Sequence, residues 1–244
     1  MTRSYSLLPS IGCSAFAFGI VLLLTASYEC QAASGATTVA AQAAPPSSGA
    51  ALVNTNSNEK LRAAAEPFEK LTEISFEATL PAIDQTIGEA ESTARGVHAL
   101  LSIDAASQLD AQIAAMKSAR QKQDRAGLAL SSIEAYRVLV GAVTDKAKVP
   151  TEVSLLDYAG FRYDADLKAS PIRWRDMAKA VSFARENWAK LLPRAKSSPV
   201  ATDFEKAITD MDKAVTQRNK SLAASSVKAE LDLVDQLEKF FSAH

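Results

Sequence analysis

An all-α fold, arranged as an antiparallel helical bundle, is what this sequence predicts, and three observations predict it. Alanine is abundant throughout, only 9 of 244 residues are Gly, and β-branched residues never fall into alternating runs. The backbone is therefore rich in the best helix former and poor in strand signal. Apolar residues recur at intervals of three and four over nearly all of the chain after Ser57, which lines them along one face of a helix. The interruptions carry Pro, Ser, Asp and Asn, residues suited to helix ends.

The N-terminus reads differently. Arg3 precedes a polar stretch and an apolar run from about Ile11 to Ala26, with small residues at Ala32 and Ala33. That order is the one of a cleavable secretory signal, taken as 1–33, and it predicts a periplasmic or extracytoplasmic location. The run falls short of the ~20 residues a spanning helix needs; an uncleaved signal anchored in the inner membrane is the alternative. Cys30 follows Ser27, Tyr28 and Glu29, a poor setting for lipidation, and no twin-arginine pair is present, which predicts export of an unfolded chain. Both cysteines, Cys13 and Cys30, precede the expected cut. The mature chain is then cysteine-free, without disulfides, thiolate metal sites, covalent haem or a cysteine nucleophile. Residues 34–56 hold Ala, Ser, Thr, Pro, Val and Asn with no charge and are expected to be a flexible linker.

One helical domain is expected over 57–244. Ile83, Ile87, Ala90, Ala94, Val97 and Leu101 form its first stripe. Pro67 suits a first turn, whereas Pro81 lies inside the pattern and should kink or divide the helix. Ser102 or Asp104 caps the next region, striped by Ile103, Ala106, Leu109, Ile113 and Met116; Asp124 caps another, with Leu130, Ile133, Tyr136, Val140 and Val143. After the break at Lys148–Thr151 come Val153, Leu156, Gly160, Tyr163 and Leu167. Ser170-Pro171 reads as a cap and first-turn proline for the stripe Trp174, Met177, Val181, Ala184, Trp188 and Leu191. Past Pro193–Pro199, Phe204, Ile208, Met211 and Val215 lead into Val227, Leu231, Val234 and Phe241.

An internal repeat is legible here. Gln123–Ala135 parallels Arg218–Ala229 once a gap is placed at Gly127, and Met116 and Ala119 match Met211 and Ala214. The expected halves are 57–148 and 151–243.

Chemistry is sparse. The net charge is −1 and the basic residues are scattered among acids, which argues against nucleic acid as a partner. Trp174 and Trp188, and likewise Met116, Met177 and Met211, sit on stripes, as core residues do. His98 and the terminal His244 cannot build a histidine-rich metal centre, and haem held between His98 and Met116 lacks anything to fix it; no cofactor is expected. Phosphate loops, nucleophile elbows and His-Glu-x-x-His are absent, so the chain reads more as a non-enzyme.

The most unusual segment is Leu155–Asp166. On a helix Asp157, Phe161 and Asp164 share a face, and Tyr158 and Arg162 form an adjacent pair. Asp157, Tyr158, Arg162, Tyr163 and Asp164 are the candidate ligand-binding residues, for a hard cation or a polar molecule. The plainer alternative is an interhelical polar network with Arg162 paired to an acid. The function expected is a non-enzymatic binding or scaffold module with an unknown protein or small-molecule partner in the cell envelope, touching membrane only through an uncleaved signal. The alternative is a metal- or cofactor-binding bundle for envelope metal handling or stress.

Overall fold

A computed structural model describes residues 48–144 and 148–243; the expected signal peptide, with Cys13 and Cys30, and terminal His244 lie outside them. Every regular element among the described residues is helical. In order they are α1 (Ser48–Ile74), α2 (Leu80–Val97), a single 3₁₀ turn at His98–Leu100, α3 (Ile103–Gln121), α4 (Arg125–Gly141), α5 (Thr151–Lys168), α6 (Trp174–Ala195), α7 (Ala201–Gln217) and α8 (Lys220–Ala243). The described residues belong to one compact unit. The helix α1 starts at Ser48, inside the stretch expected to be linker, because Ala50-Ala51-Leu52 is itself good helix-forming sequence.

Pro67 lies inside α1 rather than in a first turn; at Pro81 the pattern does divide, α1 ending at Ile74 and α2 starting at Leu80 with Pro81 in its first turn. Pro67 deprives only the carbonyl of Ala63 of its partner, and Ala63 is exposed, so water can take the bond. Pro193 likewise sits inside α6, opposite exposed Ala189. The Ser170–Pro171 peptide is cis, and α6 begins only at Trp174 rather than at Pro171.

Three caps fall where side chains permit them. Ser102 Oγ accepts from Ala105 N at 3.2 Å, Asp124 Oδ1 from Gly127 N at 2.8 Å, and Asn219 Oδ1 from Leu222 N at 3.1 Å. Each leaves fewer orphan donors in a first turn. The α3–α4 and α7–α8 junctions share one backbone design. Gln123 (φ 57°) and Arg218 (φ 49°) take left-handed conformations. Asp124 N then donates to Ala119 O, and Asn219 N to Ala214 O, both at 2.9 Å, the six-to-one bond that closes a helix C-terminus.

Helix α1 packs on α2 and α4, and α4 on α3; α5 packs on α6 and α8, and α7 on both of those. The α4–α5 contact joins the two groups. Each group has its own apolar core. One holds Leu61, Phe68, Ile83, Leu109, Met116 and Leu139; the other holds Leu156, Tyr163, Met177, Trp188, Phe204 and Met211. Burial runs in register between them. Leu61 and Leu156, Phe68 and Tyr163, Leu109 and Phe204, Met116 and Met211, and Leu139 and Val234 are each buried and each 95 positions apart. That interval is the same on both sides of Gly127, so the burial pattern contains no gap there. For α2 and α6 the interval is 94, pairing Ile83 with Met177 and Val97 with Leu191.

One stripe residue departs from the expectation. Ile103 is 89% exposed: as the first residue of α3 it projects past the end of the packed helices.

Candidate functional site

Helix α5 packs against α4, α6 and α8, so most of its surface is covered and its polar side chains must find partners inside the protein. The five candidate residues lie on this one helix but do not converge. Two of them, Tyr158 and Arg162, meet in a cleft between α4, α5 and α6.

The cleft has a volume of about 310 Å³ and is lined by Glu134, Arg137, Tyr158, Arg162, Lys179, Ala180 and Phe183. Glu134 is its hub. It accepts from the Tyr158 hydroxyl at 2.7 Å, from Arg137 Nε at 2.9 Å and from Arg162 Nη1. Arg162 Nη1 also lies 2.7 Å from the Tyr158 hydroxyl oxygen. The Arg137 guanidinium stands 5.8 Å from the centre of the Tyr158 ring, and Phe183 meets the same ring edge-on at 5.1 Å. Burial pushes the Tyr158 phenol up to about 12, with Arg137 pulling the other way, so this hydroxyl stays protonated and serves as a donor.

Behind the cleft lies Asp166, whose side chain is fully buried. Arg173 Nε stands 3.3 Å and Arg162 Nε 4.0 Å from its carboxylate. Burial raises Asp166 to about 6 against the pull of Arg173 and Arg162. Lys179 Nζ pairs with Asp176 at 2.8 Å. Three cationic side chains thus line a cleft holding one carboxylate, over a floor of two aromatic rings.

The other three candidates face elsewhere. Tyr163 is fully buried in the second core and its hydroxyl donates to Met211 O at 3.1 Å. Asp164 pairs with Lys168 at 2.6 Å; both border a cavity of about 720 Å³ with Phe76, Ile172 and Lys220. Asp157 is buried and faces α1, α4 and α8. Its carboxyl is held well above the usual carboxylate range, by burial first and then by Glu69, Glu230 and Glu238, while the Tyr136 hydroxyl opposes.

Sequence reasoning missed Glu134, Arg137, Lys179 and Phe183. The i, i+3 pair Glu134–Arg137 was visible in the sequence, but nothing there showed that α5 covers it. Of the residues weighed for haem, His98 lies at the surface, 3.2 Å from Asp110, and Met116 is fully buried. Trp188 stacks on Phe204 at 4.6 Å within the core. Among the described residues no group of three or more His, Cys, Asp or Glu is arranged to hold a metal ion, and no helix is long and apolar enough to cross a membrane.

Among the described residues, fold and site define an all-α arrangement of eight packed α-helices with a cation-lined cleft at the joint between two cores. No protein-family model, no curated protein and no solved structure matches the chain.

Proposed function

We propose that this is an exported, non-enzymatic binding module, built from two duplicated four-helix halves, that takes a small organic anion in the α4–α5–α6 cleft. The observation that carries the reading is the convergence of Arg137, Arg162 and Lys179 on one cleft with Glu134 as the only lining carboxylate. Guanidinium groups held in place offer forked donors to a carboxylate or phosphate, and the rings of Tyr158 and Phe183 suit an aromatic or other flat apolar body. A nucleophile with its base, or an acid–base pair open to a substrate, is not among the lining residues, which favours binding over turnover.

Duplication is supported by the interval in burial, 95 for most pairs and 94 for α2 and α6, by the twin junctions at Gln123-Asp124 and Arg218-Asn219, and by the same order of helix pairing in each half. The cleft lies where the first half meets the second. Joining two copies creates such a joint once, which is why a cleft there has no counterpart within either half.

Titration of the purified protein with benzoate and, separately, with inorganic phosphate tests the binding reading. Calorimetric heat and a raised melting temperature with benzoate, both lost in Lys179→Ala and Arg137→Leu, are the expected outcome. Absence of heat and of any thermal shift with either anion removes the basis for it. Export is tested on its own: mass spectrometry of the protein from an expressing bacterium is expected to find an N-terminus near Ser34 in the extracytoplasmic fraction.

A further inference from the structure

Helix α8 meets α5 at Gly160, and the contact is closer than any side chain would allow. A Cβ placed on Gly160 would lie 2.2 Å from Glu230 Oε2 and 2.6 Å from Leu231 Cδ2. The carboxyl of Glu230 therefore rests on bare backbone, one turn of α5 beyond Asp157. Glu230 is fully buried and neither of its carboxyl oxygens has a hydrogen-bond partner. An ionised carboxylate in such a place has lost its hydration and gained no partner, so the arrangement demands the neutral acid.

The surroundings reinforce this. Asp157 on α5 is buried beside Tyr136 of α4; α1 presents Glu66, Glu69 and Glu73, and α8 itself presents Asp235 and Glu238. Burial and the neighbouring acids raise Glu69 to about 7 and raise Glu73 and Glu238 as well, while Lys239 lowers Glu238. Charges on the remaining elements are engaged away from this seam. Glu134 and Arg137 of α4 and Lys179 of α6 line the cleft; Arg173 pairs with Asp166 and Asp176. On α7, Lys206 pairs with Asp210 and Asp212 with Arg185.

The other half shows that packing does not require a carboxyl here. Ninety-five positions before Gly160 and Glu230 stand Ala65 and Ala135, both buried in the first core. Two small apolar residues occupy the positions that in the second half carry glycine and an acid.

We infer that Asp157 and Glu230 form a proton-binding pair that latches α8 onto α5: protonated, they let α8 seat on Gly160, and on ionising they release it. The latch is closed in mildly acidic surroundings and opens as the medium turns alkaline. Its ligand is the hydrogen ion, and its moving part is the outer helix of the second half.

Amide hydrogen exchange of the purified full chain, corrected for intrinsic rate, reads the opening constant of α8 directly. In the native protein that constant is expected to rise between pH 6 and pH 8 by up to about tenfold per pH unit for each group that ionises. In Glu230→Gln and in Glu230→Met the rise is expected to be shallower by the share of one group, up to about tenfold per pH unit, the Met variant standing in if a buried amide prevents folding. Asp157→Asn is expected to reduce the rise. An opening constant that stays level in the native protein from pH 6 to pH 8, or that rises equally in Glu230→Met, overturns the inference.

Discussion

The α1–α4 contact and the α5–α8 contact, whose buried residues stand 95 positions apart, are made of opposite materials. The first puts Ala65 and Ala135 into an apolar core; the second sets Glu230 over Gly160 with Asp157 beside it. One seam is held by burial and by hydroxyl hydrogen bonds such as Ser132 Oγ to Phe68 O at 2.7 Å, with no acid at the matching positions. The other is held by burial plus two acids that must keep their protons. The difference teaches that helix geometry and helix chemistry have separate causes here: the spacing of α8 from α5 follows from small residues, whereas its response to pH follows from what fills the gap.

That comparison can be broken at its strongest point first. Gly160→Ala alone drives a methyl into the Glu230 carboxyl and is expected to cost about 1–3 kcal/mol, the range for overpacking. Adding Glu230→Ala copies the first-half pair and should return most of it. A coupling energy near zero in chemical denaturation of the four proteins would deny that the residues share one contact. The pH profile comes next. Asp157, Glu230 and Glu69 bind protons more tightly folded than unfolded, so stability should fall as pH rises above about 4. The share of Glu69 is gone by the time pH passes about 7. Thermal melting from pH 4.5 to 8.5 checks the sign, and the Gly160→Ala/Glu230→Ala protein should show a shallower slope than the native one. Smaller effects sharpen the likeness of the halves. Asp124→Ala and Asn219→Ala remove equivalent caps and should each cost about 1 kcal/mol; clearly unequal losses would separate the two junctions. Gln123→Gly and Arg218→Gly relieve left-handed residues and should each stabilise by up to about 1 kcal/mol, read as small rises in melting temperature.

Much of the helical plan was legible before the structure. Stripes such as Val153, Leu156, Gly160, Tyr163 and Leu167 depend on spacing along one helix, and all five are buried. Caps at Ser102 and Asp124 were legible for the same reason: a cap is a local bond. Pro67 was not, because whether it interrupts a helix depends on the exposure of Ala63, a tertiary property. Of the candidate residues, Tyr158 and Arg162 were found through their own helix; their partners Glu134 and Lys179 lie 24 or more and 17 or more positions off in sequence, beyond the reach of any periodicity. Glu230 was hidden most completely. By spacing it falls on the buried face of α8, three residues after Val227 and four before Val234, but the neighbouring Leu231 is the apolar residue a stripe takes in, and the approach of Gly160 that accommodates the carboxyl is a tertiary property.

Among the described residues Phe183 is the one partly buried apolar side chain packed against both cores. With Tyr158 of α5 buried in the first core as well, the two interiors are joined through few side chains, and these set how far they melt independently. A calorimetric scan should then resolve two overlapping heat absorptions rather than one cooperative peak, and trimming Phe183 to alanine should draw them further apart.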